Sequence, residues 1–454
     1  MRLRAALLLS APLALVVGCF PSLEGAPCET DQNCPSSQRC GTDKTCREGE
    51  RPPRAATMSA AAELSATTAS VGQSLMLTLT LTNTGTIILD NIVPGAVTST
   101  GTATGTVLAG PAPATVDRLI PGASTSFTWT VQAQATGTLS FNASAQATAS
   151  DTSEPVTATG STAGVTVQQA AVLEVTSLTG PSSVSRGQTF SVTMVVTNRG
   201  QARATLVSPT TPTVAAAGSA GATGGALPAA ISIDGGATGT FQLTFTENGT
   251  GSGSLTISAG ATGQDANSGA PLTALPASSN AIAVQRPAAL SITSFTLPAT
   301  IGRGSAFVAS LTVTNSGQAA ANVVLPSPDP PVKTVTAGAD ATTSTSPAAV
   351  SIPGGGARTF AYSYTENGTG PGTIQLSAGA TGTDANTGQT ITAPTANSNT
   401  ATVQAGGALV VTSFTIPASL SRGQGFNAVM VVTNSGGSTV NGVAPSSPVV
   451  NKTG

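Results

Sequence analysis

The chain has no histidine, one tryptophan, two tyrosines, and charged side chains at only 8% of its 454 positions. Without imidazole there is no Ser-His or Cys-His catalytic pair and no imidazole metal ligand. No side chain titrates near neutrality in its unperturbed state. A net charge of −2, with 17 basic and 19 acidic residues and no basic run, gives no electrostatic footprint for nucleic acid. No catalytic residues, cofactor or metal site are expected. What remains is 39% hydrophobic residues in a background rich in alanine, threonine, serine and glycine, a composition that suits small β domains.

All five cysteines precede residue 47. Met1-Arg2-Leu3-Arg4 is a short basic region, and Ala5 to Gly18 is an apolar run too short for a stable bilayer-spanning helix, so residues 1–18 read as a secretory signal peptide. The run ends Leu15-Val16-Val17-Gly18-Cys19, which resembles the lipobox of bacterial lipoproteins. That resemblance implies acylation of Cys19 and attachment to a membrane by lipid. Phe20 stands where Asp tends to signal inner-membrane retention, so the expected location is the bacterial cell envelope, at the outer membrane.

Removing Cys19 from the pool leaves Cys28, Cys34, Cys40 and Cys46, each separated from the next by five residues. An exported segment this short cannot build a core, so two disulfides are expected, with all three connectivities open. Zinc prefers closely paired cysteines, which this even spacing lacks. Lipid anchor and Cys-rich block occupy 19–46, and a charged, Pro-rich linker occupies 47–56.

The remainder repeats. Asn83, Asn198, Asn315 and Asn434 each close a strand in an Asn-x-Gly turn and lie 115, 117 and 119 residues apart. Every second residue before each Asn is apolar, as in Phe190/Val192/Met194/Val196 and Phe307/Ala309/Leu311/Val313, the period of a half-buried strand. A second patterned strand carries nearly all the aromatics: Phe127/Trp129/Val131, Phe241/Leu243/Phe245 and Phe360/Tyr362/Tyr364. It is expected to face the Asn-x-Gly strand across the core. About seven short strands per unit, with turn signals and no helical periodicity, indicate an all-β fold of tandem immunoglobulin-like sandwiches. The units are 57–169, 170–286, 287–405 and an incomplete 406–454, expected to stack through short connections into a semi-rigid rod on the order of 100 Å long. The fourth would expose Phe426 and Met430 and suggests a truncated reading frame.

Leu-Thr-Leu-Thr-Asn-Thr-Gly and Val-Val-Thr-Asn-Ser-Gly resemble bacterial Ig-like repeats of the cell-adhesion-related (CARDB-like) kind. The resemblance implies a surface stalk or adhesion role without naming a ligand. The expected partners are a membrane, through lipidated Cys19, and a surface polysaccharide or another surface protein; the charge balance gives no nucleic acid. The alternatives are the stalk of a surface enzyme whose catalytic domain lies past residue 454, or an array of carbohydrate-binding modules.

Three loop features could carry chemistry. Asp265-Ala266-Asn267-Ser268-Gly269 and Asp384-Ala385-Asn386-Thr387-Gly388 begin like calcium loops, but Pro276 and Thr395 stand at the twelfth position, so an Asx-supported turn is favoured. Glu247-Asn248-Gly249 and Glu366-Asn367-Gly368 read as two-residue hairpin turns, and a carboxylate pair of Glu247 with Asp265 is disfavoured. Arg186, Arg303 and Arg422 recur before the Phe strand and read as surface residues over an apolar edge.

Overall fold

The computed structural model describes residues 25–29, 33–35, 37–49 and 54–453. Cys19 and the rest of the leader lie outside the described residues. The described chain is all-β and divides into two compact units, one up to Ala170 and one from Ala171.

In the first unit, short strands Gln38–Cys40 and Cys46–Glu48 pair antiparallel, stapled by disulfides Cys28–Cys40 and Cys34–Cys46. The alternate pairing is thus the one of the three connectivities that forms. The sulfurs of Cys28, Cys34 and Cys46 lie within 4.8 Å of one another, but each is committed to a disulfide, leaving no thiolate for a metal.

The repeats are immunoglobulin-like sandwiches. In the second, one sheet runs Leu173–Thr179, Thr189–Asn198, Thr238–Glu247, Ala222–Gly224. The other runs Ser183–Ser185, Ile282–Gln285, Gly253–Asp265, Ala204–Pro209, Ile231–Ile233, with Thr213–Gly218 and Pro271–Ser278 also pairing Gly253–Asp265. The first and third repeats have the same two-sheet order. In all three, a short early strand pairs parallel with the last one: Thr68–Ser70 with Val165–Gln168, Ser183–Ser185 with Ile282–Gln285, and Thr300–Gly302 with Ala401–Gln404.

One sequence expectation is corrected. The aromatic strand does not face the Asn-x-Gly strand across the core. It is its hydrogen-bonded neighbour in the same sheet, with Phe190 opposite Phe245, Val192 opposite Leu243 and Met194 opposite Phe241. Phe190 and Phe245 stack at 5.7 Å, as do Phe307 and Tyr364 at 5.5 Å. Alternation dictates which face a residue takes, not which strand lies beside it. Across the core lie Leu255, Ile257, Ala259 and Ala261, all buried. They belong to one 13-residue strand that includes the whole Ser-Ala-Gly-Ala-Thr-Gly stretch. Gly260 is required there, because a Cβ would sit 2.7 Å from the Ala274 carbonyl oxygen of the neighbouring strand.

In the three complete repeats the Asn that ends the long strand is fully buried. Asn198 Nδ2 donates to Ala202 O (2.8 Å) and Ile233 O (3.1 Å), while Oδ1 accepts from Val172 N (3.1 Å) and Gly200 N (3.0 Å). Asn315 repeats the set with Ala319 O, Ile352 O, Ala289 N and Gly317 N. The side chain therefore bridges both sheets and the entering backbone. In the fourth repeat, Leu409–Thr415 and Val429–Asn434 form a two-stranded sheet; Phe414 and Val429 on it and Phe426 before it are exposed, Met430 is half-buried rather than exposed, and Asn434 keeps three such bonds.

A bulge recurs where Ala204–Pro209 and its counterparts shift register. It places Asn91, Leu206 and Val323 in the left-handed region at φ of 52°, 52° and 51°. Asn tolerates this conformation; the β-branched Val323 does not. Because Val323 is 63% exposed, little packing is lost on replacing it. Val323→Asn is expected to stabilise the third repeat by about 1 kcal/mol. Denaturation followed by tyrosine fluorescence reads this directly, since Tyr362 and Tyr364 are the two tyrosines of the chain. By the same measurement Asn315→Ala, which strands two carbonyls and two N–H groups, should destabilise by about 3 kcal/mol or more.

Candidate functional site

The recurring Arg-Gly turn is a backbone device. Gly187 and Gly304 have φ of 76° and 73°, which only glycine adopts without strain, and the arginines beside them are exposed. Each turn is held by a buried carboxylate. Gly187 N donates to Glu247 Oε2 (2.8 Å), whose Oε1 accepts from Gly249 N (2.8 Å). Glu366 does the same for Gly304 and Gly368. This corrects the hairpin reading, because Thr238–Glu247 and Gly253–Asp265 belong to different sheets and the Asn-Gly segment arches between them. Glu247 and Asp265 flank opposite ends of a 13-residue strand, roughly 40 Å apart at about 3.3 Å per residue, so they cannot act as a carboxylate pair.

The Asp-x-Asn loops are Asx turns. Asp384 Oδ1 accepts from Asn386 N (3.0 Å), Thr387 N (2.9 Å) and Thr387 Oγ1 (3.1 Å), and Oδ2 accepts from Ala288 N (2.7 Å). Asp265 is bonded alike to Asn267, Ser268 and Ala171. These N–H donors occupy the oxygens that a calcium ion would need.

In the third repeat the loop does something sequence reading missed: it plugs into the second. Ser185 Oγ donates to Asp384 Oδ1 (3.2 Å), and Gln188 Nε2 donates to Asn386 O (2.8 Å). The Asn386 side chain is saturated, with Oδ1 accepting from Ser183 Oγ (2.7 Å) and Nδ2 donating to Ser185 Oγ (3.2 Å) and Gln285 Oε1 (2.9 Å). The connecting segment is equally tied. Arg286 N donates to Gln318 Oε1 (2.9 Å), which also accepts from Ser252 Oγ (2.6 Å), and Arg286 O accepts from Gln318 N and Ala319 N (both 3.0 Å). Two sandwiches are thus joined through directional bonds on a linker with little freedom left. The one sequence signal was that Ser185 and Gln188 occupy a turn where the third repeat has Gly302 and Ser305.

Burial raises the Asp384 carboxyl, but the hydrogen bonds from Ala288, Thr387 and Asn386 outweigh it and hold the group below the ordinary carboxylate value. A carboxyl whose pKa is depressed in the folded state contributes stability above its unfolded value, about 3.9, and loses it as pH falls through the lower folded value. Joint-specific protection of the Ala288 and Asn386 amides should therefore be full above about pH 4 and decline below it, as read by hydrogen exchange. Ser185→Ala removes bonds across the joint while leaving the Asx turn intact. It is expected to cost about 1 kcal/mol and to uncouple the unfolding of the second and third repeats in calorimetry.

No protein-family model matches the chain, and no curated protein matches it. Among solved structures it is similar to alpha-2-macroglobulin of E. coli, at 12% identity over 81% of this chain and 24% of that one, with a TM-score of 0.20. It is also similar to the Yersinia pseudotuberculosis adhesin InvE, at 17% identity over 50% and 58%, with a TM-score of 0.18. The chain spans about a quarter of the macroglobulin's length.

Proposed function

We propose that the chain is a non-enzymatic, lipid-anchored surface protein of the bacterial outer membrane. In this reading its Ig-like repeats form a semi-rigid stalk that holds a binding face away from the membrane. The observation that carries it is the joint between the second and third repeats. A chain selected only to carry independent domains has no need to fix its linker at Arg286 and Ala288 and to bury Asp384 and Ser185 at the seam. A spacer does need this, because each flexible joint shortens its mean reach. The lipobox-like Leu15 to Cys19 and the resemblance to CARDB-like repeats support the same reading, as do the disulfides, which persist outside the reducing cytosol.

Several acyl chains, at about 0.8 kcal/mol per buried methylene, hold a protein on a membrane durably. Expressed in a bacterial host with a labelled fatty acid, the chain should incorporate label and sediment with outer membranes. Cys19→Ala should do neither. A Cys19→Ala variant that stays with the membrane would overturn the anchor.

A further inference from the structure

The side chains with which the second repeat grips the third are missing where the third meets the fourth. The gripping turn of the second repeat is Ser183-Val184-Ser185-Arg186-Gly187-Gln188, and the third has Thr300-Ile301-Gly302-Arg303-Gly304-Ser305 in its place. The two turns share a backbone form. Gln188 N donates to Ser185 O at 3.0 Å, and Ser305 N donates to Gly302 O at 3.1 Å. What differs is the polar reach. Ser185 Oγ and Gln188 Nε2 bond to the Asp384–Asn386 loop, whereas Gly302 has no side chain and the Ser305 hydroxyl ends well short of a glutamine amide. Space does not call for glycine at 302, because a Cβ there would meet only the Ser305 side chain, 3.0 Å from its Oγ, and Ser438 Oγ at 3.9 Å.

The other three repeats keep the serine and the glutamine. Ser70 N donates to Gln73 Oε1 (2.8 Å), Ser185 N to Gln188 Oε1 (2.7 Å) and Ser421 N to Gln424 Oε1 (2.9 Å). That bond occupies the amide oxygen and leaves Nε2 to donate elsewhere, as Gln188 does. The third repeat alone has lost the pair.

The connection changes in the same sense. Gln285-Arg286-Pro287-Ala288-Ala289 becomes Gln404-Ala405-Gly406-Gly407-Ala408. Proline fixes φ, and glycine has the widest backbone freedom of any residue. The backbone enters the next repeat alike at both places, since a Cβ on Gly317 would lie 2.1 Å from Pro287 O and one on Gly436 2.1 Å from Gly406 O. A Cβ on Gly406 would meet nothing within 4 Å, so packing does not demand glycine there either. Gln318, which accepts from Arg286 N and Ser252 Oγ, gives way to Gly437, and Ser252 gives way to Pro371. Arg286 O accepts two backbone N–H groups of the next repeat, while Ala405 O accepts from the Ser438 hydroxyl (2.9 Å).

We propose that the chain carries a pivot at Ala405-Gly406-Gly407: the second and third repeats move as one body, and the fourth reorients against the third about these residues. Hinges are a few connecting positions that absorb changes in φ and ψ, and Gly302, Ser305, Gly406 and Gly437 each remove a restraint present one joint earlier. The inference deepens the stalk reading and rests on it for the rigid half. A stiff segment followed by a pivot keeps its reach while presenting the fourth repeat over a range of angles.

Pulsed dipolar spectroscopy on the full chain tests this, with spin labels on the pair Ser191→Cys and Val308→Cys and on the pair Val308→Cys and Val429→Cys. All three positions are exposed, and with Cys19→Ala the remaining cysteines are held in disulfides. The distance distribution is expected to be about twofold wider across the third and fourth repeats than across the second and third. Gly406→Pro with Gly437→Gln, the residues of the earlier joint, should narrow the wide one. Ser185→Gly with Gln188→Ser and Gln318→Gly should widen the narrow one. Equal widths in the parent overturn the pivot. So does a wide distribution that Gly406→Pro with Gly437→Gln leaves unchanged, because the spread then arises within the fourth repeat. A narrow distribution that survives the triple change overturns the assignment to these side chains. Two broad distributions would also remove the rigid joint of the stalk, whereas two narrow ones leave it standing, so the two readings fail separately.

Discussion

Each complete repeat depends on one buried amide. An asparagine side chain has two protons to give and an oxygen to receive with, and at Asn198 and Asn315 all are used at once, on carbonyls and N–H groups that no ladder reaches. The bonds come from the entering strand, the turn that follows and a short strand of the opposite sheet. Geometry rather than hydrophobicity therefore sets where the sheets meet at that end. At the other end, Glu247 and Glu366 perform a matching task on the Arg-Gly turn and the arch between sheets. Between these polar clamps the core can be built from modest residues, because the register no longer rests on large side chains interlocking.

That division explains the unusual composition. The inner face of the second sheet is largely alanine with a few aliphatics, including Ala259, Ala261, Ala378 and Ala380, all buried. Small residues on one sheet allow the bulk to sit on the other, where phenylalanine and tyrosine stack strand to strand. The same economy reaches the surface: threonine ladders such as Thr176 with Thr197 and Thr293 with Thr314 pair hydroxyls across strands in place of charges.

Much of this was legible in the residues, and the failures have physical causes. The Asn-x-Gly strands were evident because Phe190 to Val196 and their counterparts alternate cleanly between buried and exposed. The fold class followed from strand count and turn spacing, although more strands form than the turn residues suggested. Period two is silent on which strand is a neighbour, so the aromatic strand was misplaced across the core. The Ala-Gly-Thr segment of Gly253–Asp265 gave weak strand signals because its residues are small, not because it is irregular. The even cysteine spacing left connectivity open until the fold brought Cys28 to Cys40 and Cys34 to Cys46. The joint was invisible for another reason. Ser185 and Asp384 are 199 residues apart, and serine, glutamine and asparagine have no pattern until the fold brings them together.

The parallel pairing of each repeat's early strand with its last has a mechanical meaning. Tension applied to the two ends of such a repeat pulls Ser183–Ser185 and Ile282–Gln285 lengthwise past each other in opposite directions. The bonds between them share the load and must break together, whereas an antiparallel edge pulled at one end would peel open one bond at a time. The same arrangement at Thr300–Gly302 with Ala401–Gln404 places one such shear latch in each of two successive domains, suited to a chain that is pulled rather than merely displayed.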